Sequence, residues 1–178
     1  MKILECKAVL SLFLISLLLT CGCGPNLPEG MPKLTPVSLT VTQEGVPLAE
    51  AQVSLTPLAE ETKYGSGGVT DADGRLLVLT HGQYKGVPQG EYIITVRKQE
   101  TITEGPVDQI PKDPQASRAW MYKNSHLLKK QRYELVGEKY RNSQTSDLKL
   151  TVGPSPVKET FDVGKPVRSK VKQSFDRK

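Results

Sequence analysis

Cysteine is confined to the start of this chain: Cys6, Cys21 and Cys23 are its only three. Whatever folds beyond them has no disulfide framework and must be held by packing. Histidine is nearly absent, and neither His81 nor His126 has another His, Asp or Glu at metal-ligand spacing. Aromatic residues make up only 6% of the chain, few for the planar aromatic platforms that carbohydrate binding favours. There is no Gly-x-Ser-x-Gly, no His-Glu-x-x-His and no phosphate-cradling glycine loop. Zinc-finger and RRM-type signatures are missing too, so the mildly basic balance of +5 does not point to nucleic acid. The expectation is a protein with no catalytic residues, no metal and no cofactor.

The one long apolar run, Ala8 to Leu19, follows a basic start at Lys2 and Lys7. It falls short of the ~20 residues of a membrane-spanning helix and reads as the core of a signal peptide. Leu18-Leu19-Thr20-Cys21-Gly22-Cys23-Gly24 comes next. This resembles the bacterial lipobox, in which a Cys takes a diacylglycerol and becomes the new amino terminus. Cys23 is preceded by the small Gly22, with Leu19 one position further back than usual. Cys21 has Leu18 in the usual place but Thr20 beside the cut. Cys23 is the preferred lipidation site and Cys21 the alternative. Gly rather than Asp follows either Cys, which favours the outer over the inner membrane. Cleavage removes Lys2, Lys7 and Glu5, lowering the net charge of +5 by one. The expected divisions are a signal peptide over 1–22, a Pro-rich tether over 23–35, a β-sandwich over 36–164 and a basic, disordered tail over 165–178.

Within 36–164 the dominant period is two. Val37, Leu39 and Val41 alternate with Ser38, Thr40 and Thr42, and Ala51, Val53 and Leu55 do the same with Gln52, Ser54 and Thr56. Asp71, Asp73 and Gly74 separate Val69-Thr70 from Leu76-Leu77-Val78-Leu79 and read as a turn, since Gly takes positive φ freely and Asp caps nearby N–H groups. A calcium loop would need Gly at its sixth position and Glu at its twelfth; counted from Asp71, those places hold Leu76 and Gly82. A second break at Gly86-Val87-Pro88-Gln89-Gly90 leads into a strand with Tyr92, Ile94 and Val96 on one face. Leu148, Leu150 and Val152, then Phe161 and Val163, supply closing strands.

Val69-Thr70-Asp71-x-x-Gly74-Arg75, followed by Val87-Pro88-x-Gly90-Glu91-Tyr92 and Thr95-Val96, resembles the carboxypeptidase-regulatory-like or transthyretin-like domain of bacterial surface and lipoproteins. Val41 to Val53 is similar to that family's opening strands and Gly-x-Pro-Leu turn. Lys139-Tyr140, Thr145 to Val152 and Glu159 to Val163 look like its closing strands. The resemblance implies an all-β, Ig-like/transthyretin-like antiparallel sandwich of about seven strands without an activity of its own. Transthyretin-like hydroxyisourate hydrolases end in Tyr-Arg-Gly-Ser, whereas Tyr140-Arg141-Asn142-Ser143 is internal here and carries Asn for Gly.

The β rhythm lapses over an insertion of about 100–138. Pro106, Pro111 and Pro114 mark irregular chain, and Ser117 to Arg132 is expected to hold a helix with Ser117 near its cap. Trp120, Met121 and Tyr122 either pin this insertion to the sandwich or line a binding surface, for which Trp120 and Tyr122 are the candidates. Basic residues concentrate in Lys123 to Arg132 and in Lys165 to Lys178. They read as solvated charge or as contacts to anionic headgroups or cell-wall polymers. The expected function is a non-enzymatic, lipid-anchored envelope protein with a structural or protein-interaction role. The alternative is a carbohydrate- or peptide-binding lipoprotein serving an envelope enzyme or transporter. The expected partners are the membrane, through the lipid, and an envelope protein or polysaccharide.

Overall fold

The computed structural model describes residues 27–59 and 64–171. Cys21, Cys23, the expected signal peptide and the last seven residues of the tail lie outside the described residues. The chain divides into two units, Met1–Met31 and Pro32–Lys178. What is described of the first is a turn closed by the Met31 N–H on the Pro28 carbonyl at 3.0 Å.

The second unit is mostly strand. Its first half contains β1 (Leu34–Thr35), β2 (Val37–Gln43), β3 (Val46–Pro47), β4 (Gln52–Pro57), β5 (Ser66–Val69), β6 (Arg75–Leu77), β7 (Leu79–Thr80), β8 (Tyr84–Lys85) and β9 (Val87–Pro88). The second half contains β10 (Gly90–Arg97), β11 (Gln99–Glu104), helix α1 (Pro114–Asn124), β12 (Lys129–Glu134), the single-turn helix α2 (Glu138–Arg141), β13 (Lys149–Val152), β14 (Val157–Asp162) and β15 (Ser169–Lys170). An antiparallel sheet runs β13-β10-β4-β5-β7-β8. A second sheet is centred on β2, with β14 parallel on one side and β3 and β6 antiparallel on the other. β1 and β9 form a short pair at the sandwich's edge, so folded chain begins inside the expected tether.

Alternation sends one side of each central strand inward. Val37, Leu39 and Val41 of β2 meet Val53 and Leu55 of β4, Tyr92, Ile94 and Val96 of β10, and Leu150 and Val152 of β13 in one buried cluster. Each such side chain contributes about 1.5–3 kcal/mol, which is how a disulfide-free domain holds together. The protein is therefore an all-β sandwich, as the period of two implies. Tyr92 also ties the core to the turn before it, its buried hydroxyl donating to the Pro88 carbonyl at 2.8 Å. Burial pushes this phenol's pKa up. Tyr92→Phe removes this buried hydrogen bond and is expected to cost about 0.5–1.5 kcal/mol, read as a lower urea midpoint at unchanged m-value.

Several elements differ from the sequence reading. In place of about seven strands there are fifteen short segments among the described residues, because the chain changes sheet often. The Asp71–Gly74 turn is one such crossing: β5 pairs with β4 and β7, whereas β6 pairs with β2. Asp71 Oδ1 accepts the N–H groups of Asp73 at 3.0 Å and Arg75 at 2.8 Å, so its carboxylate serves the turn. The expected single strand Leu76 to Leu79 breaks at Val78, whose N–H goes to the Val37 carbonyl. Lys139-Tyr140 lies in α2 and not in a strand.

The insertion carries a hairpin, β11 with β12, in register from Gln99↔Glu134 to Glu104↔Lys129. Its helix starts at Pro114, earlier than expected, capped by Asp113, whose Oδ1 accepts from Gln115 N at 3.1 Å and Ala116 N at 2.8 Å. It stops at Asn124 and does not reach Arg132. The expected disordered tail contributes β15, paired with β12 through Tyr133↔Lys170 and Glu134↔Ser169. Arg168 stacks over the Tyr133 ring at 4.4 Å and reaches Glu100 at 3.4 Å.

Candidate functional site

β10 and β11 form one nearly continuous line of chain, interrupted only at Lys98. The core takes Tyr92, Ile94 and Val96, so alternation turns Arg97 outward, and Gln99, Thr101 and Thr103 follow on the same face. Antiparallel pairing sets Glu134 beside Gln99, Arg132 beside Thr101 and Lys130 beside Thr103. Partners directly opposite share a face, so β12 presents Lys130, Arg132 and Glu134 there, and β15 adds Ser169. That Arg97 and Gln99 both reach the same oxygen of Glu134 agrees with this assignment.

The result is a stripe of about 20 Å, given about 3.3 Å per residue from 97 to 103. Arg97, Arg132 and Lys130 supply its charge and Thr101, Thr103 and Ser169 its hydroxyls. Arg97, Gln99, Thr101, Lys130, Arg132 and Ser169 are all exposed. Glu100 and Glu104, the acidic residues of β11, alternate to the opposite face, where Lys129 sits across from Glu104. At the stripe's lower end, Arg97 and Gln99 join Glu50 and Gln52 around a polar hollow of about 250 Å³.

Glu134 anchors the stripe from beneath. Its side chain is 2% exposed, and Oε1 accepts from Arg97 Nη2 at 3.0 Å and Gln99 Nε2 at 2.7 Å, with Arg141 Nη1 at 3.6 Å. Burial is the largest influence on this carboxyl and pushes its pKa up. Gln99, Arg97 and Arg141 together outweigh burial, and the net direction is down. Its other oxygen and Arg141 Nε are buried without hydrogen-bond partners. Two arginines thus face this one carboxylate, and Glu50 lines the hollow beside Arg97.

A second polar hollow, of about 350 Å³, lies on the outer face of the other sheet, lined by Ser38, Thr40, Arg75, Lys158, Glu159 and Thr160. Its two cations are balanced by two carboxylates: Asp73 stands 3.8 Å from Arg75, and Glu159 is in the lining. Asp162 is a buckle for the β2–β3 turn, accepting from Gly45 N, Thr42 Oγ1, Gly164 N and Glu44 N. These donors, Gly45 first, hold its pKa down.

The two binding candidates in α1 part company. Trp120 is half-buried and Tyr122 is 90% exposed. Two residues along a helix are about 200° apart, so the pair makes no common platform. The two basic segments are brought together, since β12 and β15 are neighbours. Glu134 and Arg97 were not legible as partners, because nothing in Lys-Lys-Gln-Arg-Tyr-Glu marks which charge is buried. Among the described residues no group of three or more His, Cys, Asp and Glu could hold a metal ion, and no helix is long and apolar enough to cross a membrane.

No protein family profile matches the chain, and no curated protein matches it. Among solved structures it is similar to Klebsiella pneumoniae 5-hydroxyisourate hydrolase, at 16% identity over 79% of this chain and 100% of that one, with a TM-score of 0.35. A likeness that distant carries no argument about fold or activity.

Proposed function

We propose that the chain is a lipid-anchored, non-enzymatic envelope protein whose transthyretin-like sandwich acts by contact with another envelope molecule. One observation carries the non-enzymatic half: the carboxylates most strongly perturbed by their surroundings are all pushed down, away from the range useful for proton transfer near neutrality. Glu134 is held by Gln99 and two arginines, Asp162 by the donors of a turn, and Asp147 by Lys139 Nζ at 2.5 Å. Each acts as a fastener of chain to chain. Tyr140-Arg141 likewise sits in α2 with Arg141 facing Glu134, a supporting role. The anchoring half rests on the signal-peptide core and on Cys23, with Cys21 as the alternative, and the glycines after them favour the outer membrane. A diacylated terminus gives durable attachment, since each buried methylene contributes about 0.8 kcal/mol.

Labelled palmitate fed to the producing cell is expected to enter the protein and to be lost in Cys23→Ser, with Cys21→Ser keeping it. Cross-linking of the mature protein in native envelope is expected to capture a partner. An unacylated mature terminus removes the anchor from this reading, and a protein captured with nothing removes the contact role.

A further inference from the structure

We propose that the stripe formed by Arg97, Arg132 and Lys130 with Thr101, Thr103 and Ser169 binds an acidic polysaccharide lying along the strands. This names the partner for the contact role proposed above and rests on that reading. Lys130 and Arg132 make no ion pair among the described residues, and both are exposed. Successive outward residues of a strand stand about 6.7 Å apart, so Lys130 and Arg132 are neighbours along β12, with Arg97 further down the face beyond Gln99, and an acidic polymer lying along the strands meets them in turn. Arg132 offers a planar fork that fits a carboxylate or sulfate in two-point fashion, while Lys130 acts as a point charge. The three hydroxyls both donate and accept, which suits the hydroxyls between acid groups on a sugar chain.

Charge separates this face from the rest of the molecule. Its carboxylates lie at the lower end, where Glu134 faces two arginines and Glu50 lines the hollow beside Arg97, while Lys130 and Arg132 have no carboxylate paired with them among the described residues. The hollow around Arg75 and Lys158 has two carboxylates, Asp73 and Glu159, for its two cations and does not favour an anion. Apolar content decides against a bilayer: a membrane-docking face inserts large apolar or aromatic groups, and the outward residues of this stripe are polar or charged. Stacking on bases, which single-stranded nucleic acid uses, needs aromatic rings that the stripe lacks. Scarcity of aromatics likewise disfavours neutral sugars, leaving charge and hydroxyls as the means of recognition.

The test uses the mature acylated protein, in detergent for binding to polygalacturonate, dextran sulfate, neutral dextran and a DNA oligonucleotide, and diluted below the critical micelle concentration for binding to anionic phospholipid vesicles. Polygalacturonate or dextran sulfate is expected to bind, with the tighter of the two identifying the acid group as carboxylate or sulfate, and neutral dextran is not. The double variant Lys130→Gln/Arg132→Gln is expected to weaken that binding tenfold or more. Arg75→Gln/Lys158→Gln, which removes equal charge from the other sheet, is expected to leave it within twofold. No binding to either acidic polysaccharide overturns the proposal, as does equal weakening by both double variants. Tighter binding to DNA also overturns it, as does vesicle binding that falls tenfold in Lys130→Gln/Arg132→Gln, since insertion of the acyl anchor does not depend on those two residues. A partner captured in the envelope with no polysaccharide binding sinks this inference alone and leaves the contact role standing.

Discussion

Glu134→Ala is expected to destabilise the sandwich by about 2–4 kcal/mol, about 1 kcal/mol less than breaking a fully buried ion pair costs. The discount follows from unequal partners. Arg97 is half exposed and can turn to water, whereas Arg141 is 22% exposed with its Nε already buried and unpaired. Urea unfolding followed through Trp120, the only tryptophan, measures the loss. Glu134→Gln keeps the shape and an acceptor oxygen and is expected to cost less than the alanine. The same variant isolates a pH effect. The folded pKa of Glu134 lies below its ordinary 4.5, so the folded state binds the proton more weakly than the unfolded one. The stabilisation is complete above the ordinary value and lost as pH falls through the folded one. Wild type is therefore expected to lose more stability than Glu134→Gln between about pH 6 and pH 3. Because Asp147 and Asp162 titrate in both proteins, the difference between the two profiles is the readout. Parallel profiles mean that the carboxylate is not held by charge.

Sequence pattern was informative wherever one face of a strand is buried. β2, β4 and β10 read directly because Val37-x-Leu39-x-Val41, Val53-x-Leu55 and Tyr92-x-Ile94-x-Val96 put every second residue into the core. β11 and β12 did not read, because Gln99 to Glu104 and Lys129 to Glu134 include only one fully buried residue, Glu134, so their alternation carries little hydrophobic signal. The start of α1 was available in the sequence: Asp113-Pro114 places a capping carboxylate before a proline at the first helical position. Ser117 is a weaker claim, one turn too late. Turn chemistry told where the chain bends and not where it goes next. Asp71 and Gly74 specify a tight turn, but that β6 joins β2 and not β5 depends on the whole sandwich. The parallel pairing of β14 with β2 is a long-range choice of the same kind, spanning well over a hundred residues.

The stripe was hidden for this reason too. Lys123 to Arg132 and Lys165 to Lys178 are visible as basic segments, and each alone is compatible with plain solvation. Their meaning changes once Val171 N–H bonds the Arg132 carbonyl at 2.9 Å and the tail becomes the third strand of a sheet. Register then sorts the charges, sending Glu100 and Glu104 to one face and Arg132 and Lys130 to the other.

Gly74→Ala is expected to be more damaging than its size suggests, and Gly82→Ala shows why. Both glycines have φ of +70, a left-handed conformation that costs an L-residue about 1–2 kcal/mol. A Cβ at Gly82 meets nothing within 4 Å, whereas one at Gly74 stands 2.5 Å from the Val41 carbonyl oxygen and 3.0 Å from Leu48 N. These are backbone atoms in the heart of the second sheet, and they cannot swing aside as a side chain would. Relieving the clash disturbs the Val41 N–H bond to the Gly74 carbonyl, at 2.8 Å, and the Leu48 N–H bond to the Val41 carbonyl, at 2.9 Å. Overpacking of this kind adds about 1–3 kcal/mol, so Gly74→Ala should cost about 2–5 kcal/mol and Gly82→Ala about 1–2 kcal/mol. For a domain of this size the difference amounts to several degrees in Tm. Equal melting temperatures for the two variants would mean that β6 does not close against β2 as tightly as this, and the sheet crossing at Asp71–Gly74 would lose its physical basis.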